Sequence, residues 1–283
     1  MTDTRHIPAS SGLPFSPDWI TRPLFGILLA ALVIAADFKG PAYLAIFVAL
    51  GAIFAVREWH RMVWPQSYLF EMTLSAVTII AALSAIVLWP RGPIAWLVFG
   101  AGAVVAMIAA VMRGESPLWQ AGGMLYIGVP AVAMIAARAV PANGAWLIIG
   151  LLLIVWATDT GALIAGNLIG GPKLVPRLSP NKTWAGTLGG IVAAAIVEAV
   201  YIGILGGSPV LASVYGAGIS IIAHSGDLFE SWVKRLFNRK DSGSLIPGHG
   251  GMLDRIDSTL FAVSALAILV LVAGLDPLFG AHP

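Results

Sequence analysis

Apolar stretches of about 17 to 25 residues recur along the chain, and each is long enough to cross a hydrocarbon core as a helix. A soluble protein of 283 residues needs more polar surface than a chain with 58% hydrophobic and only 11% charged residues can supply. The sequence therefore predicts an all-α, polytopic integral membrane protein. No separate soluble domain is evident, so residues 1–283 are expected to form a single membrane domain.

Apolar runs and the breakers between them predict about nine transmembrane helices. Their approximate ranges are 23–38, 41–56, 69–89, 93–112, 122–140, 144–165, 186–206, 209–229 and 258–275. Residues 1–22 precede the first span as a polar N-terminal segment.

The distribution of lysine and arginine tests this topology, because cytoplasmic loops of membrane proteins are enriched in both. With nine spans, all but three of the 16 basic residues fall on one side. The three on the opposite side are Lys39, Arg91 and Arg138. This asymmetry predicts a cytoplasmic N-terminus.

Two segments on the basic side, 166–185 and 230–257, are longer and richer in glycine, proline and charge than a connector requires. We expect these two cytoplasmic loops, together with the adjoining helix ends, to carry the chemistry. The charge-rich run Arg57 to Arg61 after the second span is interpreted as an interfacial anchor.

Three aspartates stand beside the second of these loops. Asp254 and Asp257 are three residues apart, so they share a helix face, and Asp227 lies on the preceding helix. Carboxylates near a bilayer are costly without a partner. If the two helix ends meet, these aspartates would form a site of oxygen ligands suited to Mg²⁺.

The run Pro247 to Gly251 contains three glycines, which allow the backbone to approach a ligand closely and to present N–H groups to phosphate oxygens. His249, within this run, is either a donor to a phosphoryl oxygen or a solvated loop histidine.

Five basic residues surround the aspartates: Lys234, Arg235, Arg239, Lys240 and Arg255. They could serve only to keep the loop in the cytoplasm, with Glu230 and Lys234 forming an ordinary helical ion pair. Alternatively, they hold a polyanion, because metal ions together with fixed cations are how enzymes bind triphosphates.

This stretch resembles the signature of the phosphatidate cytidylyltransferases, also called CDP-diacylglycerol synthases. The matching positions are Ser231, Lys234, Arg235, Lys240, Asp241, His249, Gly250, Gly251, Asp254, Arg255 and Asp257. The first long loop resembles a second region of that family, from Asp159 to the Ser-Pro-x-Lys-Thr run at residues 179–183. The chain departs from many members at Asn167 and Ala185, and no role is assigned to either. Lys182 is a phosphate contact in this interpretation, or else an interfacial anchor.

The resemblance implies a helical nucleotidyltransferase, usually dimeric, that makes CDP-diacylglycerol and pyrophosphate from CTP and phosphatidate. It implies Mg²⁺, leaves room for a K⁺ beside it, and implies no nucleic-acid partner. The site would face the cytoplasm from a bacterial inner membrane. The residues that it suggests for catalysis are Asp227, Lys234, Arg235, His249 and Asp254. Those that it suggests for substrate binding are Asp159, Ser179, Lys182, Lys240, Asp241, Gly250, Gly251 and Arg255, and those for the metal are Asp227, Asp254 and Asp257.

Two other functions are considered. Another lipid phosphotransferase, such as a CDP-alcohol phosphotransferase, would carry an Asp-Gly-x-x-Ala-Arg motif, which is absent from the sequence. A transporter with a cytoplasmic charged gate would carry acids near the bilayer centre in repeated halves, whereas the charge here is concentrated at one face. Glu198 and His224 could line the site, but neither is assigned to it.

Overall fold

The computed structural model describes residues 18–243 and 250–281, with side chains from residue 26 onward. The predicted His249 and most of the N-terminal segment 1–22 lie outside the described residues. The described part is almost entirely helical and contains one small two-stranded sheet.

The elements follow the apolar pattern of the sequence closely. In chain order they are α1 (Asp18–Lys39), α2 (Pro41–Val63), α3 (Tyr68–Leu88), α4 (Ile94–Met112), α5 (Pro117–Ala139), α6 (Gly144–Leu168), β1 (Lys173–Val175), β2 (Ser179–Thr183), α7 (Trp184–Ile204), α8 (Pro209–Leu236) and α9 (Leu253–Val272). Among the described residues, seven helices are long and apolar enough to cross a membrane: α2 to α7 and α9. The structure thus confirms a helical chain of the multi-pass membrane type.

Local signals explain where several helices begin. Pro41, Pro117 and Pro209 stand in the first turns of α2, α5 and α8, where proline costs no hydrogen bond. The Thr183 hydroxyl caps α7 by accepting a hydrogen bond from the Gly186 N–H at 3.0 Å.

Several helix boundaries lie outside the ranges expected from hydropathy, and two of them border the candidate site. α8 continues to Leu236, beyond the predicted end at residue 229, and α9 begins at Leu253, ahead of residue 258. Hydropathy does not distinguish polar residues in the terminal turns of a helix from loop residues, although the backbone hydrogen bonds of the helix continue through them. Lys234, Asp254 and Asp257 are consequently helical residues rather than loop residues.

The core lies where α2, α3, α5, α6 and α9 meet, around side chains such as Trp59, Ile127 and Leu151. α6 packs on α7, α7 on α8 and α8 on α9, so the elements that carry the candidate site are consecutive neighbours. The α6 to α8 group packs through small residues. At Gly190 an added Cβ would lie 2.7 Å from the Thr158 carbonyl oxygen, so only glycine permits this approach.

Candidate active site at the ends of α8 and α9

Lys234 connects the two helices that border the second long loop. Its ammonium group lies 2.8 Å from Glu230 Oε2 on α8 and 2.7 Å from Asp254 Oδ1 on α9. Glu230 is fully buried, and the Lys234 side chain is only 12% exposed. The helix ends therefore meet as the sequence suggested. The Glu230 and Lys234 pair expected from helical spacing forms, and Lys234 also contacts Asp254 on the other helix.

Asp254 holds two backbone N–H groups that precede it in the chain. Its carboxylate accepts hydrogen bonds from the N–H groups of Gly251 at 2.8 Å and of Ser242 at 3.1 Å. Asp254 also lies in the first turn of α9, where a negative charge is favoured by the helix dipole. Gly250 has a φ of 83°, a conformation that favours glycine, and it brings the Gly251 N–H to this carboxylate.

Asp257 is the most enclosed of the three predicted metal ligands. It is 8% exposed, its Oδ1 accepts a hydrogen bond from the Ser258 N–H at 2.7 Å, and it interacts electrostatically with Asp227 and Glu230. Oε1 of Glu230 is also buried. Carboxyl groups are therefore concentrated between α8 and α9.

The first long loop supplies the opposite wall of the site. It forms a short antiparallel hairpin of β1 and β2, and Lys182 on β2 forms an ion pair with Oδ2 of Asp227 on α8. Arg235 Nε also donates to the Leu178 carbonyl oxygen at 3.4 Å, which ties the hairpin to the end of α8. This hairpin and the signature segment thus belong to one site.

Asp159 lies on α6 next to this wall. It interacts electrostatically with Asp227, Lys182 and Arg255, so the predicted substrate residue is near the acidic cluster. Ser179 begins β2 and is partly buried. The remaining signature residues Arg235, Lys240, Asp241 and Arg255 are exposed at the same end of the bundle.

His224 and Glu198, which the sequence left unassigned, take different positions. His224 lies within the electrostatic reach of Lys182 and Asp227, and an added Cβ at Gly190 would lie 2.9 Å from its Nε2. Glu198 on α7 is 2% exposed, and its carboxylate packs against Gly150 on α6. This position is away from Asp227, Asp254 and Asp257. His224 therefore borders the site and Glu198 does not.

Glu58 on α2 is a functional candidate that the sequence did not reveal, because its run was interpreted as an interfacial anchor. The side chain is 2% exposed. Its carboxylate accepts hydrogen bonds from the N–H groups of Met252 at 3.0 Å and Leu253 at 2.8 Å, and from the Ser242 hydroxyl at 3.1 Å. Glu58 therefore caps the N-terminus of α9 from a distant part of the chain.

Tyr126 is a second residue that sequence reasoning missed. It lies in a π-helical segment of α5, Met124–Gly128, and Pro130 follows, which has no N–H to donate to the Tyr126 carbonyl oxygen. Its ring packs against Phe229 and Phe261, and it interacts electrostatically with Asp257 and Glu230. The proline inside an apolar helix was the signal that could have indicated it.

The predicted metal ligands are close in space but are engaged by different partners. Among residues 18–243 and 250–281, no three histidine, aspartate or glutamate side chains are gathered around one point that could hold a metal ion. Asp227 faces Lys182, and Asp254 faces Lys234. The donors are nonetheless oxygen atoms only, and the buried carboxyl groups of Glu230 and Asp257 lie side by side, an arrangement that a divalent cation would stabilise.

Comparison with known proteins identifies relatives that cover most of the chain. A family model described as the cytidylyltransferase family matches residues 20–273. The phosphatidate cytidylyltransferase of Brucella suis biovar 1 is 34% identical over 252 residues, which cover 87% of this chain and 91% of that protein. That of Rickettsia bellii is 32% identical over 216 residues, covering 71% and 90%. That of Staphylococcus haemolyticus is 40% identical over 151 residues, covering 52% and 56%.

Proposed function

This chain belongs to the cytidylyltransferase family, and we propose that it makes CDP-diacylglycerol from CTP and phosphatidate by metal-assisted transfer at the ends of α8 and α9. It is a nucleotidyltransferase of phospholipid biosynthesis. The observation that carries the mechanism is the position of Lys234 between Glu230 and Asp254, beside the Lys182 and Asp227 pair. Fixed cations and carboxylates at one end of a membrane bundle suit a reaction between a lipid phosphate and a nucleotide.

In the proposed reaction, a phosphate oxygen of phosphatidate forms a bond to the α-phosphorus of CTP, and the bond from that phosphorus to the β-phosphate bridging oxygen breaks. The electron pair leaves with pyrophosphate. No protein nucleophile is needed, because the phosphate monoester is already anionic at neutral pH. The barrier is set by the crowding of negative charge, which Lys182, Lys234 and Arg235 would lower by lying beside the phosphates.

Asp227, Asp254 and Asp257 would hold Mg²⁺, with room for a K⁺ beside it. When bound, the metal would supply positive charge to the α-phosphate and to the departing pyrophosphate. This proposal requires that Asp227 and Asp254 exchange lysine partners for the metal, because both are ion-paired in the described structure. Support comes from the all-oxygen donor set and from the buried carboxyl groups of Glu230 and Asp257, which lie side by side.

We further propose that α1 and α8 also cross the bilayer, giving nine spans with a cytoplasmic N-terminus. α8 has 28 residues, enough to span, although its polar C-terminal half lowers its hydropathy. The strong bias of basic residues to one side supports this orientation. The active site would then face the cytoplasm from a bacterial inner membrane, where CTP is available and phosphatidate enters from the surrounding lipids.

A homodimer is the proposed assembly, supported by the resemblance to a family whose members are usually dimeric. Cross-linking of the purified protein in lipid nanodiscs tests it. A dominant dimeric band at low protein-to-nanodisc ratio is expected, and exclusively monomeric protein would contradict the proposal.

The decisive test is turnover by purified protein in mixed micelles with labelled CTP, phosphatidate and Mg²⁺. We expect labelled CDP-diacylglycerol and pyrophosphate in equal amounts, loss of activity with a chelator, and recovery on adding Mg²⁺. An absence of lipid-linked cytidylate in wild type, or full activity in Asp254→Ala, would reject the proposed reaction or site respectively.

A further inference from the structure

A basic cavity opens beside the acidic cluster, between the end of α2 and the segment that follows α8. Its volume is about 570 Å³. The residues that line it are Arg57, Glu58, Arg61, Met62, Pro65, Arg239, Asp241, Ser242 and Gly243. A cavity of this size lies within the usual range for small-molecule sites.

Three arginines line this cavity, against two acids, Glu58 and Asp241. Glu58, which adjoins Arg57 in sequence, directs its carboxylate to Ser242, Met252 and Leu253. Within residues 18–243 and 250–281, no ion pair joins a carboxylate to Arg57, Arg61 or Arg239.

The placement of these charges points to an anionic ligand. Arg57 and Arg61 are one helical turn apart on α2 and therefore repel each other. The positive-inside rule accounts for basic residues near a membrane surface, but it does not require that they line a common cavity. Arginine binds phosphate through two parallel N–H donors, which suits a polyphosphate better than the point charge of lysine does.

The cavity is joined directly to the catalytic cluster through Ser242. Its hydroxyl donates to Glu58 in the cavity wall, and its backbone N–H donates to Asp254 at 3.1 Å. Asp254 in turn accepts from Lys234. A ligand held by the arginines would thus lie next to the residues expected to act on the α-phosphorus.

We infer that this cavity binds the nucleotide polyphosphate, with Arg57, Arg61 and Arg239 as its phosphate contacts and Asp241 as an acceptor for hydroxyl or amino groups of the nucleoside. The inference rests on the proposed function, and it assigns substrate contacts to a helix that lies far from the signature in sequence. The phosphatidate headgroup is the other phosphate source, and the experiment separates the two.

The test measures KM for CTP and for phosphatidate separately in Arg57→Gln, Arg61→Gln and Arg239→Gln. Loss of one charged hydrogen-bonding partner predicts that KM for CTP rises about tenfold or more in each variant, while KM for phosphatidate stays within about twofold of wild type. Binding of a non-hydrolysable α,β-methylene CTP analogue, measured by calorimetry, should weaken in parallel. Arg57→Lys should recover part of the affinity, because it keeps the charge but loses the paired donors.

Arg91→Gln is the matched control, since Arg91 is exposed after the far end of α3. Arg239 lies on an exposed segment outside the helices, so its variant remains informative if substitutions on α2 impair folding. An unchanged KM for CTP in folded variants, or a rise in KM for phosphatidate alone, would overturn the inference. A wild-type protein without CTP-dependent turnover would instead reject the proposed function.

Discussion

Glu58 accepts a hydrogen bond from the backbone N–H of Leu253 at 2.8 Å, although 195 residues separate the two in the chain. The carboxylate meets the first N–H groups of α9, which have no partner within the helix. Asp254, the next residue, is thereby placed against Lys234. An acid on the second helix consequently positions the signature residues near the C-terminus.

The first prediction concerns this contact. Glu58→Gln replaces one acceptor oxygen by an amide N–H that faces donor groups, so kcat should fall at least about tenfold and the free energy of unfolding by about 1–3 kcal/mol. Turnover at saturating substrates and thermal unfolding in detergent measure the two effects. Glu115→Gln is the control, because Glu115 accepts one hydrogen bond from the Ser67 hydroxyl at the same end of the bundle. Wild-type turnover in Glu58→Gln would show that the cap is dispensable.

A second prediction follows from the ion pair of Lys182 and Asp227. If the two residues act as a unit, Lys182→Gln and Asp227→Asn should each lower kcat/KM, and the double variant should be much less impaired than the sum of the two effects. A double-mutant cycle measured as kcat/KM for CTP tests this. Lys173→Gln, an exposed lysine on β1 of the same hairpin, should change little. Strictly additive losses would argue against a functional pair.

The third prediction addresses Lys234, which lies between two acids. Lys234→Met leaves the fully buried Glu230 without its cation, and breaking a buried ion pair in this way costs about 3–5 kcal/mol. The unfolding temperature in detergent should fall markedly, whereas the exposed Lys240→Met should not change it. Adding Glu230→Gln to Lys234→Met should restore part of the loss, since it removes the buried charge. No recovery would mean that Lys234 stabilises the protein through packing alone.

The fourth prediction uses the positive φ of 83° at Gly250. Gly250→Ala should cost about 1–2 kcal/mol because an L-residue is strained there, and an added Cβ would lie 3.0 Å from Asp254 Oδ2. Turnover should drop because the Gly251 N–H would no longer be held against Asp254. Gly218→Ala is the control: apart from its own helix, no atom of the described residues lies within 4 Å of its added Cβ, and Gly218 is helical, so alanine is tolerated or stabilising. Equal activity of the two variants would contradict the assigned role of Gly250.

Much of the architecture could be predicted from local patterns. Apolar run length indicated the helices, and residue spacing indicated the Glu230 and Lys234 pair. The fixed spacing of the signature indicated the family. The ends of α8 and α9 were placed less well, because hydropathy does not distinguish a polar helical turn from a loop.

The sequence by itself determined that this chain is a multi-pass helical membrane protein and that its acids, bases and glycines are concentrated near the end of the chain. These properties depend on composition and short-range spacing, so the amino-acid sequence alone is enough to predict them. Only the tertiary structure decided that Glu58 caps α9 and that Lys182 pairs with Asp227. Such contacts depend on how closely the helices approach one another, which the small residues of α6 to α8 permit but no local pattern specifies.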